Sequence, residues 1–188
     1  MHTLRKMVLF AALVGVSGLT MAQAPAPKRM GLASSSFADG AVIPDKYTQA
    51  SPSPVSPQLS WTDVPDGTQS FALIMHDPDV AMQKTTSDVL HWMAFNIPGT
   101  ATSLPEGVPN VASLPDGTVQ PLNTGKKNGF MGSGAGCCVY HHYTWELFAL
   151  DIKLALGADA TRDQVLAAMN GHILGKAVLV GRFHKPPA

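Results

Sequence analysis

Two stretches constrain this chain more than any others: Phe71-Ala72-Leu73-Ile74-Met75-His76-Asp77-Pro78-Asp79 and His91-Trp92-Met93-Ala94-Phe95-Asn96-Ile97. Each is an apolar run with the length and composition of a buried strand. The first ends abruptly in two carboxylates around a proline, and the second opens on a histidine. Pro78 has no N–H to give to a ladder, so the first strand is expected to stop at the acidic pair. Antiparallel pairing then sets Asp77, at the end of one strand, beside His91, at the start of the other. The pattern predicts a polar pocket at the rim of an apolar sheet.

The first residues carry an address rather than a fold. Arg5 and Lys6 precede an almost wholly apolar run from Met7 to Leu19, and Ala22-Gln23-Ala24 fits a small-residue cleavage site. The run is short beside the ~20 apolar residues of a membrane span. We read residues 1–24 as a signal peptide cut after Ala24, with an uncleaved anchor as the alternative, and residues 25–188 as one exported domain, periplasmic or secreted. That length is enough to bury a core. Removing Arg5 and Lys6 from 13 basic residues leaves eleven against 13 acidic ones, a mature charge of −2. Such a balance gives no attraction to nucleic acid or to an anionic membrane, so any anion must be held by local geometry. The two cysteines are adjacent, Cys137 and Cys138, which is no disulfide framework. A vicinal bridge and two thiols under a loop both remain open.

Further strands are expected at Arg29–Ser34, Leu59–Thr62, Tyr143–Leu150 and Ala177–Phe183, beside Ser70–His76 and His91–Ile97. Prolines at 52, 54 and 57 mark an ordered loop, and residues 100–129 are rich in turn formers. One helix is clear. Thr161 and Gln164 make a capping box, Gly171 follows its end, and Val165, Leu166 and Met169 have core-facing spacing. The sum is a mainly antiparallel β fold with a helix packed on it.

Three features could carry chemistry. The first is Asp77-Pro78-Asp79 with His91. The second is the loop Gly129-Phe130-Met131-Gly132-Ser133-Gly134-Ala135-Gly136, whose glycines allow successive N–H groups to face one anion. The third is His141-His142-Tyr143, opening a strand, where a histidine can donate to a phosphate and gain charge near neutral pH. Gly132-x-Gly134 leads into a strand, which excludes a dinucleotide fingerprint. There is no Walker lysine, no His-Glu-x-x-His zinc motif and no Gly-x-Ser-x-Gly elbow.

Taken together with Ser56-Pro57-Gln58-Leu59-Ser60-Trp61 and the closing Asn170-Gly171-His172-Ile173-Leu174-Gly175-Lys176-Ala177, these motifs resemble the phosphatidylethanolamine-binding protein family, most closely its bacterial Raf-kinase-inhibitor-like branch. The resemblance runs from about Met30 to Phe183. It implies a central antiparallel sheet, a smaller second sheet, a C-terminal helix and a small pocket for phosphate groups such as phospholipid headgroups. It places Asp77, His91, His141 and Tyr143 on pocket positions, with Gly132, Ser133 and Gly134 lining the pocket and Pro78 and Asp79 shaping the loop behind. Three departures stand out. Val80-Ala81-Met82 follows the acidic motif where the family has Ala-Pro. Ala135, Gly136, Cys137 and Cys138 replace loop prolines, and His142 stands where Arg is common.

The expected function is a non-enzymatic, exported binding protein for a small phosphorylated or anionic ligand. The alternative is a protein-interaction module acting as a peptidase or signalling inhibitor. No catalytic residue, metal or cofactor is expected, because no activated nucleophile is visible. The expected partners are the small ligand and an unidentified protein, with no nucleic acid and no integral membrane span. The assembly is open, a homodimer included.

Overall fold

The computed structural model describes residues 29–187. The signal segment expected at 1–24 lies outside them. Seven strands and one α-helix follow in the order β1 (Gly31–Ala33), β2 (Leu59–Thr62), β3 (Ser70–Asp77), β4 (Val89–Pro98), β5 (Ser103–Leu104), β6 (His141–Leu150), α1 (Arg162–Met169) and β7 (Ile173–Phe183). They form two antiparallel sheets, a small one in the order β1-β2-β5 and a larger one in the order β4-β3-β6-β7. This is the mainly β architecture with a second, smaller sheet and a C-terminal helix.

β3 explains why its sequence is apolar without alternation. It lies between β4 and β6, and both of its faces are covered. Phe71, Leu73 and Met75 pack on one side with Trp92, Tyr143, Trp145 and the small sheet's Leu59 and Trp61. Ala72 and Ile74 pack on the other with Met93, Phe95, Phe148 and the helix residues Val165 and Met169. Each of those large side chains, taken fully from water, contributes about 1.5–3 kcal/mol. The two-sided cover thus fixes β3 as the rigid floor beneath its own C-terminal end.

β3 ends at Asp77, immediately before Pro78, as the proline dictates. Helix α1 is capped by Thr161, whose side chain accepts the Gln164 N–H, while the Gln164 side chain accepts the Thr161 N–H in return. Gly171 closes the end with φ +84°. Leu166 departs from its expected place. Val165 and Met169, four apart, take the core stripe, and Leu166 is 36% exposed. One residue turns a helix by about 100°, which carries Leu166 off a face only one stripe wide.

Three strands begin earlier than expected. β4 starts at Val89, β6 at His141 and β7 at Ile173. His141 and His142 pair with Phe183 and Arg182, so the strand edge supplies β structure where the residue types alone do not. The two-residue β5 pairs Ser103 and Leu104 with Ser60 and Leu59 inside a segment that reads as turns.

Candidate ligand-binding site

The site lies where β3 ends and where β4 and β6 begin. Asp77 sits opposite Val89, two residues before His91. Between the pairs Met75–Trp92 and His76–Leu90 the register slips, which leaves His91 as the extra residue of a β-bulge. A bulge re-aims one side chain without ending the sheet, and here it turns His91 towards the pocket. His141 and Tyr143 are the first and third residues of β6, so they share a face, whereas His142 points to the other side.

Asp77, His91, His141 and Tyr143 line one cavity of about 290 Å³, completed by Gln49, Val80, Val89, Met131 and the loop residues Gly134, Ala135 and Gly136. Asp77 and His91 are each 3% exposed. Asp77 Oδ1 accepts the Asp79 N–H at 3.0 Å, an Asx turn around Pro78. Its Oδ2 accepts from His141 Nδ1 at 2.8 Å. The carboxylate therefore meets His141 across the sheet rather than hydrogen-bonding the neighbouring His91.

His91 is held differently. Its Nδ1 donates to the Met131 carbonyl at 2.9 Å, and the Met131 N–H donates to the His91 carbonyl at 2.9 Å. A carbonyl can only accept, so the proton sits on Nδ1 and the neutral ring keeps its lone pair on Nε2. Burial holds this histidine below its ordinary pKa, with the Met131 carbonyl and the Asp77 charge opposing in part. Its ring meets Tyr143 edge-on, with centroids 5.1 Å apart.

Tyr143 is fully buried, and its Oη accepts the Gly134 N–H at 3.1 Å and the Ala135 N–H at 2.9 Å. Burial, with Asp77 nearby, pushes its pKa up to about 12. The hydroxyl stays protonated, its proton turned towards the Asp77 carboxylate. The N–H groups of the glycine loop do converge on one oxygen, but that oxygen is a tyrosine's. None of Gly132, Gly134 or Gly136 has a positive φ. Close approach explains the first two: a Cβ on Gly134 would fall 2.4 Å from the Gln49 side chain, and one on Gly132 would press on Pro54 and the Thr48 backbone. Gly132 and Ser133 are not part of this cavity's lining, and Gly132 instead lines the concavity beside it. The Gly132 carbonyl accepts from Gln49 Nε2 at 3.0 Å, and the Ser133 carbonyl accepts the Gln49 N–H at 2.8 Å. The buried Ser133 hydroxyl has no hydrogen-bond partner among the described residues.

Asp79 turns outward and braces the loop. Its Oδ2 accepts the His142 N–H at 2.6 Å and the His142 ring nitrogen at 3.0 Å, and the backbone N–H in particular holds its carboxyl below the usual range. Gln49 and Val89 had no local signal in the sequence, since each reaches the pocket through tertiary pairing, while Met131 and Val80 lie within or beside the motifs without marking themselves. Among the described residues no three His, Cys, Asp or Glu side chains are grouped to hold a metal ion. A larger concavity of about 680 Å³ shares Gln49 and Met131 with this site. Its carboxamides on Asn110, Asn123 and Asn128 are spent on loop backbone, and Lys127 is the one titratable side chain in its lining.

Comparison with known proteins places this geometry in context. Residues 33–184 match the family model described as phosphatidylethanolamine-binding protein. The chain is 41% identical over 156 residues to a UPF0098 protein of Methanothermobacter thermautotrophicus, covering 83% of this chain and 99% of that one. It is 32% identical over 131 residues to the UPF0098 protein YbhB of Escherichia coli, covering 69% and 81%. Among solved structures, Escherichia coli YbcL, described as a member of the mammalian family of that name, superposes with a TM-score of 0.73 at 27% identity, covering 84% of this chain and 99% of that one. The Chlamydia trachomatis homologue CT736 does so with a TM-score of 0.72 at 33% identity, with the same coverages.

Proposed function

Since the chain belongs to the phosphatidylethanolamine-binding protein family, in its bacterial branch, we propose that it is a non-enzymatic binding protein for a small phosphorylated or anionic ligand of the phospholipid-headgroup kind. The observation that carries the reading is the convergence of Asp77, His91, His141 and Tyr143 on one cavity of about 290 Å³ at the rim of the sheet. A cavity of that size takes a headgroup rather than a whole lipid.

The roles follow from hydrogen-bond capacity. His141 spends Nδ1–H on Asp77 and offers Nε2 to the cavity. Once protonated it donates a charge-assisted bond to an anion, with Asp77 as its counter-charge. The Tyr143 hydroxyl accepts two N–H groups and carries one proton, for which Asp77 and a ligand would compete. His91 offers a lone pair while neutral and a donor once protonated, so anion binding and protonation reinforce one another there. Asp77 is also the acceptor for an amine carried by a zwitterionic headgroup.

The same features favour binding over turnover. Asp77 is paired with His141, Tyr143 is kept from ionising, and the Ser133 hydroxyl lies outside the cavity lining. No nucleophile meets a base in the cavity. Export to the periplasm or medium, by removal of residues 1–24, belongs to the same proposal, and no described helix is long and apolar enough to cross a membrane.

Calorimetric titration with inorganic phosphate and phosphoethanolamine tests the reading. His141→Ala and His91→Ala should each lose about 1.5–3 kcal/mol, or roughly tenfold or more in affinity. Equal affinity in wild type and both variants would remove the ligand from this pocket.

A further inference from the structure

Cys137 and Cys138 form a disulfide with each other. Both residues are exposed, and they follow Gly136, which lines the ligand cavity. We propose that this vicinal disulfide is a thiol–disulfide exchange site, reduced by a dithiol donor, whose state sets the wall of the pocket. The effect on ligand binding rests on the function proposed above; the exchange chemistry and the loop's response do not.

A purely stabilising role fits poorly. A disulfide acts on the unfolded chain by closing a loop, and its effect grows with the length closed. Joining adjacent residues closes almost none. Its influence is therefore local, and the local backbone is held in an unusual form. Cys138 has φ +83°, in the left-handed region that residues other than glycine seldom enter. The ring that includes the Cys137–Cys138 peptide restrains that residue covalently. Opening the ring removes the restraint and lets Cys138 return to negative φ.

The loop is tied on both sides, so such a turn has somewhere to go. Upstream, the Gly134 and Ala135 N–H groups are anchored on Tyr143 Oη. Alongside, Cys137 bridges to Lys185, whose N–H is shared between the Ala135 and Gly136 carbonyls at 3.3 Å each. Gly136 joins these ties to the disulfide, its own carbonyl among them, and beyond its chain neighbours no atom comes within 4 Å of the position a Cβ would take there. Gly136 thus has steric room to follow a rotation at Cys138, at the expense of the long shared bond to Lys185, and one wall of the cavity moves with it.

The exchange needs only a dithiol. Its thiolate attacks one sulfur, the S–S bond breaks, a mixed disulfide forms, and the other cysteine leaves as a thiolate that takes a proton. The reductant's second thiol, once deprotonated, displaces the remaining cysteine and closes the reductant's own disulfide. Two electrons have then passed to the protein, and Cys137 and Cys138 end as two thiols. Exposure of both sulfur-bearing residues gives the attacking thiolate its approach.

The test uses the folded protein equilibrated with dithiothreitol, with free thiols alkylated and counted by mass spectrometry. The proposal expects both thiols to appear while the protein stays folded. Amide exchange at Gly134–Cys138 should rise at least tenfold while β3 and β6 stay protected. Inorganic phosphate should bind at least threefold more weakly after reduction, and a Cys137→Ser/Cys138→Ser variant should behave like the reduced protein and ignore the reductant. A disulfide that yields only on global unfolding would overturn the proposal. So would one that opens without change in loop exchange. If phosphate fails to bind in either state, the binding reading falls, while loop exchange still decides whether the disulfide governs the loop.

Discussion

Replacing Tyr143 by Phe isolates one contact that ties the loop to the sheet. The ring is fully buried and packs edge-on against His91, and phenylalanine preserves both features. What is lost is one oxygen that accepts two backbone N–H groups. Ala135 is 5% exposed, so its N–H has little access to water and should cost the full ~1–3 kcal/mol of an unmet buried donor. Gly134 is half-buried and can recruit water, so it should add less. Tyr143→Phe should therefore destabilise by about 2–3 kcal/mol, or roughly 4–12 °C in Tm for a domain of this size. Urea denaturation with unchanged m-value is the assay, paired with amide exchange at Gly134 and Ala135. The pH dependence adds a second signature. The folded tyrosine's pKa stands at about 12 against an ordinary value near 10, so it stabilises fully below pH 10 and loses that contribution as pH rises towards 12. The difference between wild type and variant should shrink over that window. A loss under about 0.5 kcal/mol with unchanged loop exchange would refute the argument.

The remaining predictions concern charge and processing. His91, held below its ordinary pKa by burial, binds fewer protons folded than unfolded, so stability should fall as pH drops below about 6.5; His91→Gln should flatten that part of the denaturation profile. His76 goes the other way. Burial opposes its charge, but Glu146 and Asp88 outweigh it and raise the pKa, so its contribution is present below about 6.5 and fades as pH rises through the folded value; His76→Gln should lose stability at pH 6 and less at pH 9. Sulfate, which does not titrate in this range, should bind more tightly as pH falls through the histidine range in calorimetry, and a flat profile from pH 5 to about 8 would assign the anion to neutral donors. N-terminal sequencing of exported protein should begin at Pro25, and recovery of intact Met1 protein from the cytoplasm would sink the signal-peptide reading.

Much of the fold was legible because its physics is local. The apolar runs of β3 and β4 read as buried strands, Pro78 marked the end of β3, and Thr161 with Gln164 marked the helix start. What escaped depends on a partner. The bulge that aims His91 exists only in the register of β3 against β4. Leu166 shares its residue type with the core, and only the narrow contact between helix and sheet leaves it outside. Asp77, His91, His141 and Tyr143 were legible as a constellation, but their pairings were not. Which histidine meets Asp77, and that the glycine loop's N–H groups are taken by Tyr143, follow from strand order and loop path. Gln49 reaches the site from a segment with no marker of its own.

The central claim is that the cavity bounded by Asp77, His91, His141 and Tyr143 receives a phosphate-bearing ligand. The most direct measurement is nitrogen NMR of the histidine rings during titration with phosphoethanolamine. The account predicts saturable shifts at His91 and His141, with His76 and His172, which are paired to Asp88 and Asp151, left unmoved. Saturable binding that moves other histidines and leaves these two unchanged, or no shift at any ring up to millimolar ligand, would contradict it.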